Sequence, residues 1–316
     1  MAKILILTDG KAGHENQSRA FARALGLEPA LVKVRFRSKA AKALSYALDR
    51  LGVRAERLFA LSAPLPADVA AVIGTGSGTF YAAKCLARRL GVKCGVVLYP
   101  RGYRLDTFDC ILAPAFDRPA KAANVIEIPA NLVAADAEFY AQGVEAFKAH
   151  YAAQCGHALA VPAAVAVIVG GPNPASTMTA DWMRRELDAV FAAKGAAEAW
   201  VTTSRRTPPE VEQVIDGYPW DYRLIYSREH FNPIPAFVTL AKRLYVTAES
   251  TGMLSEACTS GSSEVIALDN LKAGDHKFRR FLESLVKGGY VGGSRKVDLA
   301  AQFAAAKARL LGKAAS

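Results

Sequence analysis

Short, nearly continuous apolar runs alternate along this chain with stretches of helical periodicity. Residues 3–7 form the first run and lead into the polar segment Asp9-Gly10-Lys11-Ala12-Gly13-His14. The spacing then predicts a helix over 15–25. Residues 69–73 repeat the pattern, followed by Gly74-Thr75-Gly76-Ser77-Gly78-Thr79 and a helix over 80–90. Further apolar runs fall at 93–98, 110–113 and 125–128. Runs that are apolar without alternation predict strands buried on both faces. Their regular exchange with helices predicts a parallel sheet covered on both sides.

Residues 134–154 read as an alanine-rich amphipathic helix and 155–162 as a connection. A second series starts at Ala163. Its strands are predicted at 165–169, 198–202, 223–226, 243–246 and 264–267, with loops at 170–174, 203–209, 227–235 and 247–252. Its helices are predicted at 179–194, 210–216, 236–242 and 253–258. The expected fold class is α/β: two doubly wound, Rossmann-like parallel-sheet domains facing a cleft. The expected domains are 1–155 and 156–316, with a last helix at 297–316 packing back on the first. In such folds ligands bind at loops outside the carboxyl ends of strands.

The length of 316 residues fits two domains of roughly 150 each. Hydrophobic residues at 52% and charged residues at 22% exclude a disordered or fibrous chain. The net charge of +11 is uneven. Residues 1–130 hold 20 basic and 10 acidic side chains, and the remainder holds 20 and 19. An anionic partner is therefore expected on the N-terminal part. Its densest basic stretch is 31–58, where Lys33, Arg35, Arg37, Lys39, Lys42, Arg50, Arg54 and Arg57 are interleaved with apolar residues. That pattern suits an anionic membrane surface.

Five scattered cysteines without a CxxC support neither a disulfide framework nor a zinc ribbon. The five histidines are far apart, so no metal site is expected. The apolar start is too short for a signal peptide. Residues 149–180 carry no charged side chain, but Pro162, Gly170, Gly171, Pro172 and Pro174 interrupt them, which argues against a spanning helix. A soluble cytoplasmic protein is the expectation. No helix-turn-helix, OB or RNA-binding pattern accompanies the basic clusters, so no nucleic-acid partner is expected.

Four segments carry candidate chemistry. In 9–17, Asp9, His14 and Glu15 can each take a proton, and glycines let the backbone approach a ligand. In 169–174, Gly170 and Gly171 admit a ligand near the backbone, and Asn173 both donates and accepts. In 203–210, Ser204, Arg205, Arg206 and Thr207 form a donor cluster, and arginine forks match phosphate oxygens. Thr207 also reads as a helix N-cap, with Pro208 first and Glu210 third in the helix. In 247–257, Ser250, Thr251 and Gly252 open a helix whose free N–H groups suit a diphosphate, and Glu256 suits a ribose diol. The stretch 74–79 matches a dinucleotide fingerprint only in part.

Taken together and in this order, DGKAGHENQ, GGPN, SRRTP and TAESTGMLSEA resemble the mitochondrial-fission ELM family of bacterial and plant proteins. Its bacterial members are classed as glycosyltransferases and have also been labelled nucleoside-diphosphate-sugar epimerases. The family is similar in layout to the glycosyltransferase-B fold, as in lipid II-forming N-acetylglucosaminyltransferase and the lipopolysaccharide heptosyltransferases. The resemblance implies a nucleotide-sugar donor as substrate, no separate cofactor, and a lipid-linked or glycan acceptor of lipopolysaccharide type at the inner membrane face. It implies that Gly171 and Asn173 lie near the diphosphate, and that Ser204, Arg205 and Arg206 neutralise it. It further implies that Ser250, Thr251 and Gly252 give it backbone N–H groups, that Glu256 holds the ribose, and that His14 and Asp9 face the acceptor. Glu249 stands where related sequences often have Asp. Three readings stay open at this point: a metal-independent glycosyltransferase with Asp9 or His14 as base, an epimerase acting on the sugar nucleotide itself, and a non-enzymatic adaptor.

Overall fold

The computed structural model describes residues 2–160 and 164–312, and the chain divides into two compact units. The predicted start of the second series at Ala163 and the end of the last helix at 313–316 lie outside the described residues.

The first unit comprises residues 1–134 and 298–316. Its strands are β1 (Lys3–Thr8), β2 (Glu28–Phe36), β3 (Phe59–Leu61), β4 (Val69–Thr75), β5 (Lys93–Val97), β6 (Cys110–Pro114) and β7 (Val125–Ile128). Among the described residues they form one sheet in the order β3-β2-β1-β4-β5-β6-β7, parallel except for β3. Ile4, Leu5, Ile6 and Leu7 have no exposed surface, as a strand covered on both faces requires. The helices are α1 (Ala12–Leu25), α2 (Lys39–Arg50), α3 (Phe80–Leu90) and, numbered last in the chain, α10 (Ala300–Leu311), which packs against α1 and β4 to β7.

Two strands here have no counterpart in the sequence reading. β2 alternates, with Val32 and Val34 buried and Lys33 and Arg35 exposed. Those charges interrupt the continuous apolar pattern that marks the central strands. Residues 31–58 comprise part of a strand, a helix and a short 3-10 turn. α1 also starts at Ala12, earlier than predicted, so His14 and Glu15 lie on its first turn and not in a loop.

The second unit, residues 135–297, contains α4 (Ala137–Cys155), β8 (Ala164–Val169), α5 (Ala180–Ala193), β9 (Glu198–Thr203), α6 (Pro209–Asp216) and β10 (Tyr222–Leu224). It continues with α7 (Ile234–Leu240), β11 (Arg243–Thr247), α8 (Thr251–Thr259), β12 (Glu264–Leu268) and α9 (Lys277–Lys287). Its sheet runs β10-β9-β8-β11-β12, all parallel. The sequence boundary at 155 groups α4 with the first half, whereas its aromatic side chains pack inside the second unit. Phe147 is fully buried against Trp200 of β9, Tyr222 of β10 and Phe237 of α7, at ring separations of 5.1, 4.8 and 5.6 Å.

The first unit also buries an ion pair. Lys84 of α3 donates to both oxygens of Asp49 at 2.9 Å and to the Arg104 carbonyl at 2.7 Å. Asp49 further accepts from the Arg104 N–H at 2.7 Å and pairs with Arg54 at 3.1 Å. All three ammonium protons have acceptors, and this offsets desolvation, which holds the Lys84 pKa below its usual value. Lys84→Met leaves the buried carboxylate without its closest cation. It is expected to lose about 3–5 kcal/mol of stability in urea unfolding. The double variant Lys84→Met/Asp49→Leu should lose less than the two single losses combined, and an unchanged midpoint for Lys84→Met would refute the assignment.

Candidate functional site

Each sheet reverses its strand order once: the first between β1 and β4, the second between β8 and β11. At such a switch point the flanking loops diverge and leave a crevice beyond the carboxyl ends of the strands. The predicted site residues fall on these loops or beside them.

In the first unit, Asp9 follows β1 and His14 sits on the first turn of α1. His14 Nδ1 lies 3.1 Å from each Asp9 carboxylate oxygen. Helical side chains lean toward the helix N-terminus, which brings the imidazole back over the turn carrying Asp9. Nδ1 is engaged, and Nε2 has no partner among the described residues. Glu15, the third proton-carrying residue, is instead bonded to Arg19 one turn along its own helix.

The stretch after β4 closes this arrangement from the other side. Gly76 has a φ of +80°, and a β-carbon there would overlap the His14 ring. A β-carbon at Gly78 would stand 2.8 Å from that of Asp9. Beneath them the hydroxyls of Ser18 and Thr75 share a buried hydrogen bond of 2.6 Å. The glycine-rich stretch that matched a dinucleotide fingerprint only in part therefore provides bare backbone against which the Asp9–His14 pair packs.

In the second unit, three loops converge. Thr207 donates to the Gly170 carbonyl at 2.6 Å and accepts from the Ser204 N–H at 2.9 Å. This corrects the capping expectation. The helix starts at Pro209 with Pro208 as its N-cap, and the Thr207 hydroxyl ties the loop after β9 to the end of β8. A β-carbon at Gly171 would overlap the Arg206 backbone, so the two loops touch. Arg205 and Arg206 themselves are exposed and have no side-chain partner among the described residues. Asn173 spends its side chain locally: its carbonyl accepts from the Ala175 N–H at 2.8 Å and its amide reaches the Glu249 carbonyl at 3.4 Å.

Glu249 is the residue whose part the sequence reading missed. It is only 2% exposed. Its carboxylate accepts from the Thr247 hydroxyl at 3.1 Å, from the Asn270 amide at 2.7 Å and from the Gly171 N–H. Thr247 in turn accepts from the Gly170 N–H at 2.8 Å. Burial pushes the Glu249 pKa up, and these donors oppose the rise. The one sequence signal was a carboxylate inside an otherwise small and polar strand–helix junction.

Ser250 is the N-cap of α8, and it makes no side-chain cap. Thr251 and Gly252 form the first turn, and a β-carbon at Gly252 would meet nothing within 4 Å. Glu256 lies one turn further on the same helix face and accepts from the Tyr140 hydroxyl at 3.2 Å. Tyr140 accepts in turn from Ser260 at 2.7 Å. Burial raises the Glu256 pKa. Among the described residues no three His, Cys, Asp or Glu side chains converge to hold a metal, and no helix is long and apolar enough to cross a membrane.

A raised carboxyl pKa has a defined stability signature. Between the ordinary glutamate value of 4.5 and the higher folded value, the folded chain binds more protons than the unfolded one, so stability falls as pH rises through that window. Glu249→Gln removes this dependence. The melting temperature of Glu249→Gln minus that of the native chain should therefore climb with pH above 4.5 and then level off. A difference that stays constant from pH 4 to 7 would show that Glu249 is not the buried titrating group.

No curated protein sequence matches the chain. Solved structures do. A protein of Listeria monocytogenes assigned as a UDP-N-acetylglucosamine 2-epimerase superimposes with a TM-score of 0.53 at 11% identity, covering 99% of this chain and 91% of that one. The UDP-GlcNAc 2-epimerase of Neisseria meningitidis, bound to UDP-GlcNAc, gives 0.50 at 11% identity, covering 97% and 99%. At this identity the likeness shows the fold, two Rossmann-like parallel sheets of glycosyltransferase-B type. The family model described as mitochondrial fission ELM1 matches residues 12–308. The chain belongs to the mitochondrial fission ELM1 family.

Proposed function

We propose that this protein is a glycosyltransferase that takes a sugar from a nucleotide-sugar donor and places it on a hydroxyl of a lipid-linked or glycan acceptor of the cell envelope, of lipopolysaccharide type. The observation that carries the reading is the Asp9–His14 pair, with Nδ1 directed at the carboxylate and Nε2 free. That geometry suits a general base for a hydroxyl, because Asp9 fixes the tautomer and supports the imidazolium that forms. Nε2 takes the acceptor proton as the acceptor oxygen bonds to the anomeric carbon. The bond from that carbon to the diphosphate oxygen breaks, and the nucleoside diphosphate leaves. His14 is thus the base and Asp9 its orienting partner.

The leaving charge falls to the second unit. Arg205 and Arg206 are free to meet it, as are the first-turn N–H groups at Thr251 and Gly252, whereas the expected Ser250 N–H is given to the Thr247 carbonyl at 3.3 Å. Glu256, one turn on from Gly252 and bonded to the Tyr140 hydroxyl, is read as the carboxylate for the ribose next to that diphosphate. Gly171, Asn173, Ser204 and Thr207 hold the loops that frame this place. A second reading, epimerisation of the sugar nucleotide, is favoured by the two superimposable epimerases. It differs in consuming donor with no acceptor present.

The outer face of the first unit supports a membrane-borne acceptor. Leu44 within α2 and Leu51 and Val53 just after it are 47%, 75% and 44% exposed, in the same stretch of chain as the exposed cations Lys39, Arg50 and Arg57. Each basic residue near an anionic lipid surface contributes about 1 kcal/mol. The protein is read as cytoplasmic and peripheral on the inner face of the membrane.

A thermal-shift screen of nucleotides and nucleotide sugars should find a donor that stabilises the chain, by about 2.7 kcal/mol at a hundredfold excess over Kd. The shift should vanish in Arg205→Ala/Arg206→Ala and persist in His14→Ala and Asp9→Asn. With that donor, His14→Ala should cut transfer by about 10²–10⁴-fold and Asp9→Asn by less. Full transfer by both variants would remove the base assignment. Vesicles containing phosphatidylglycerol should float the protein at low salt, and Leu44→Glu/Leu51→Glu should abolish this. Absence of flotation by the native chain would reject the membrane face.

A further inference from the structure

Lys33 and Lys42 of the first unit lie beside the dyad and have no carboxylate partner among the described residues. Lys33 projects from β2 with Nζ 3.2 Å from where a β-carbon at Gly10 would stand. Lys42, half-buried on the first turn of α2, donates from Nζ to the Ser77 hydroxyl at 3.0 Å. Contacts join them into one group around the dyad: Lys33 on Gly10, Asp9 on Gly78, and Ser77, between Gly76 and Gly78, on Lys42. Lys11 lies 3.6 Å from Asp9 at the same turn.

The backbone reinforces this placement. α1 and α3 both begin here; α3 has neither a side-chain cap nor an acidic residue in its first turn, whereas the start of α1 is met by Glu15 and by the Asp9 carboxylate. Gly10 and Gly76 both take left-handed φ values, +83° and +80°, which lets their turns lie flat against Lys33 and His14. A solvated surface lysine normally extends into water or finds a carboxylate. Lys42 is instead drawn in and held by a neutral hydroxyl, and Lys33, although exposed, lies with its end beside the bare turn at Gly10. Both are at the switch point of the sheet, where ligands bind in folds of this kind.

We propose that Lys33 and Lys42 bind a phosphate monoester on the acceptor, beside His14. This rests on the reading that the first unit holds the acceptor. A phosphate dianion offers enough charge and oxygens to engage two ammonium groups at once, and a single carboxylate offers half of that charge. The acceptor is thereby narrowed to a phosphorylated glycan or lipid headgroup whose reacting hydroxyl lies close to its phosphate, within reach of Nε2.

Calorimetric titration of the full chain with inorganic phosphate and with sn-glycerol 3-phosphate should show saturable binding, and glycerol should show none. Lys33→Met and Lys42→Met should each weaken binding roughly tenfold, the loss of one charge-assisted contact, and together abolish it. Lys121→Met, a change elsewhere on the unit, should leave it unaltered. A soluble source is marked by glycerol 3-phosphate staying bound in the presence of phosphatidic acid vesicles. A headgroup source is marked by its displacement, and both outcomes support the site when they depend on the lysines. Undiminished phosphate binding by a double variant that melts like the native chain, or no binding by the native chain, would overturn it. Nucleotide-sugar binding is measured alongside. Its failure with lysine-dependent phosphate binding intact removes the donor reading alone, and the converse removes the phosphate site alone.

Discussion

The Asp9–His14 contact depends on two stretches of backbone that carry no side chain. β1 and β4 are neighbours, so the turns that leave them face each other across the switch point. α1 starts early enough to put His14 on its first turn, and the imidazole then has to share space with the turn after β4. Any β-carbon at Gly76 would overlap the ring, and one at Gly78 would press on Asp9. The dyad, the glycine turn and the buried Ser18–Thr75 hydrogen bond below them are therefore a single constraint. The buried strands hold its frame, because Ile4 to Leu7 have no exposed surface through which β1 could shift.

The second unit meets the same geometric situation with a different device. A buried carboxylate, Glu249, collects donors from Thr247, Asn270 and Gly171, and Thr207 clamps the adjacent loop to Gly170. Side chains that would otherwise be available to a ligand are consumed in fixing the loops. What is left outward is two arginines and the uncapped start of α8. One unit thus presents a group that can take a proton, and the other presents donors suited to negative charge.

Part of the positive charge in the first 130 residues falls into three physical settings. Lys84 and Arg54 are spent on the buried carboxylate of Asp49. Lys33 and Lys42 lie at the turns around the dyad. Lys39, Arg50 and Arg57 remain exposed in the stretch of chain that also exposes Leu44, Leu51 and Val53. A net charge read along the chain cannot make this division, because neighbours in sequence such as Lys39 and Lys42 point to different surroundings.

The sequence by itself determined the elements whose signal is local. Continuous apolar runs marked β1, β4, β6 and β8, and glycine and polar clusters marked the loops after β1, β8, β9 and β11, where the candidate residues lie. It fixed the fold class for the same reason, since unalternating strands exchanged with helices must be covered on both faces. Tertiary structure decided whatever depends on partners distant in the chain. β2 was not legible because its exposed face carries lysine and arginine. α4 was assigned by aromatic contacts to residues 50 to 90 positions away. Thr207 reads as a cap from its neighbours and is a clamp because Gly170 lies beside it. The Asp9–His14 pair is close in sequence and was named from it. That Nδ1 and not Nε2 faces the carboxylate, and that Gly76 must be bare, follows only from β4 lying next to β1.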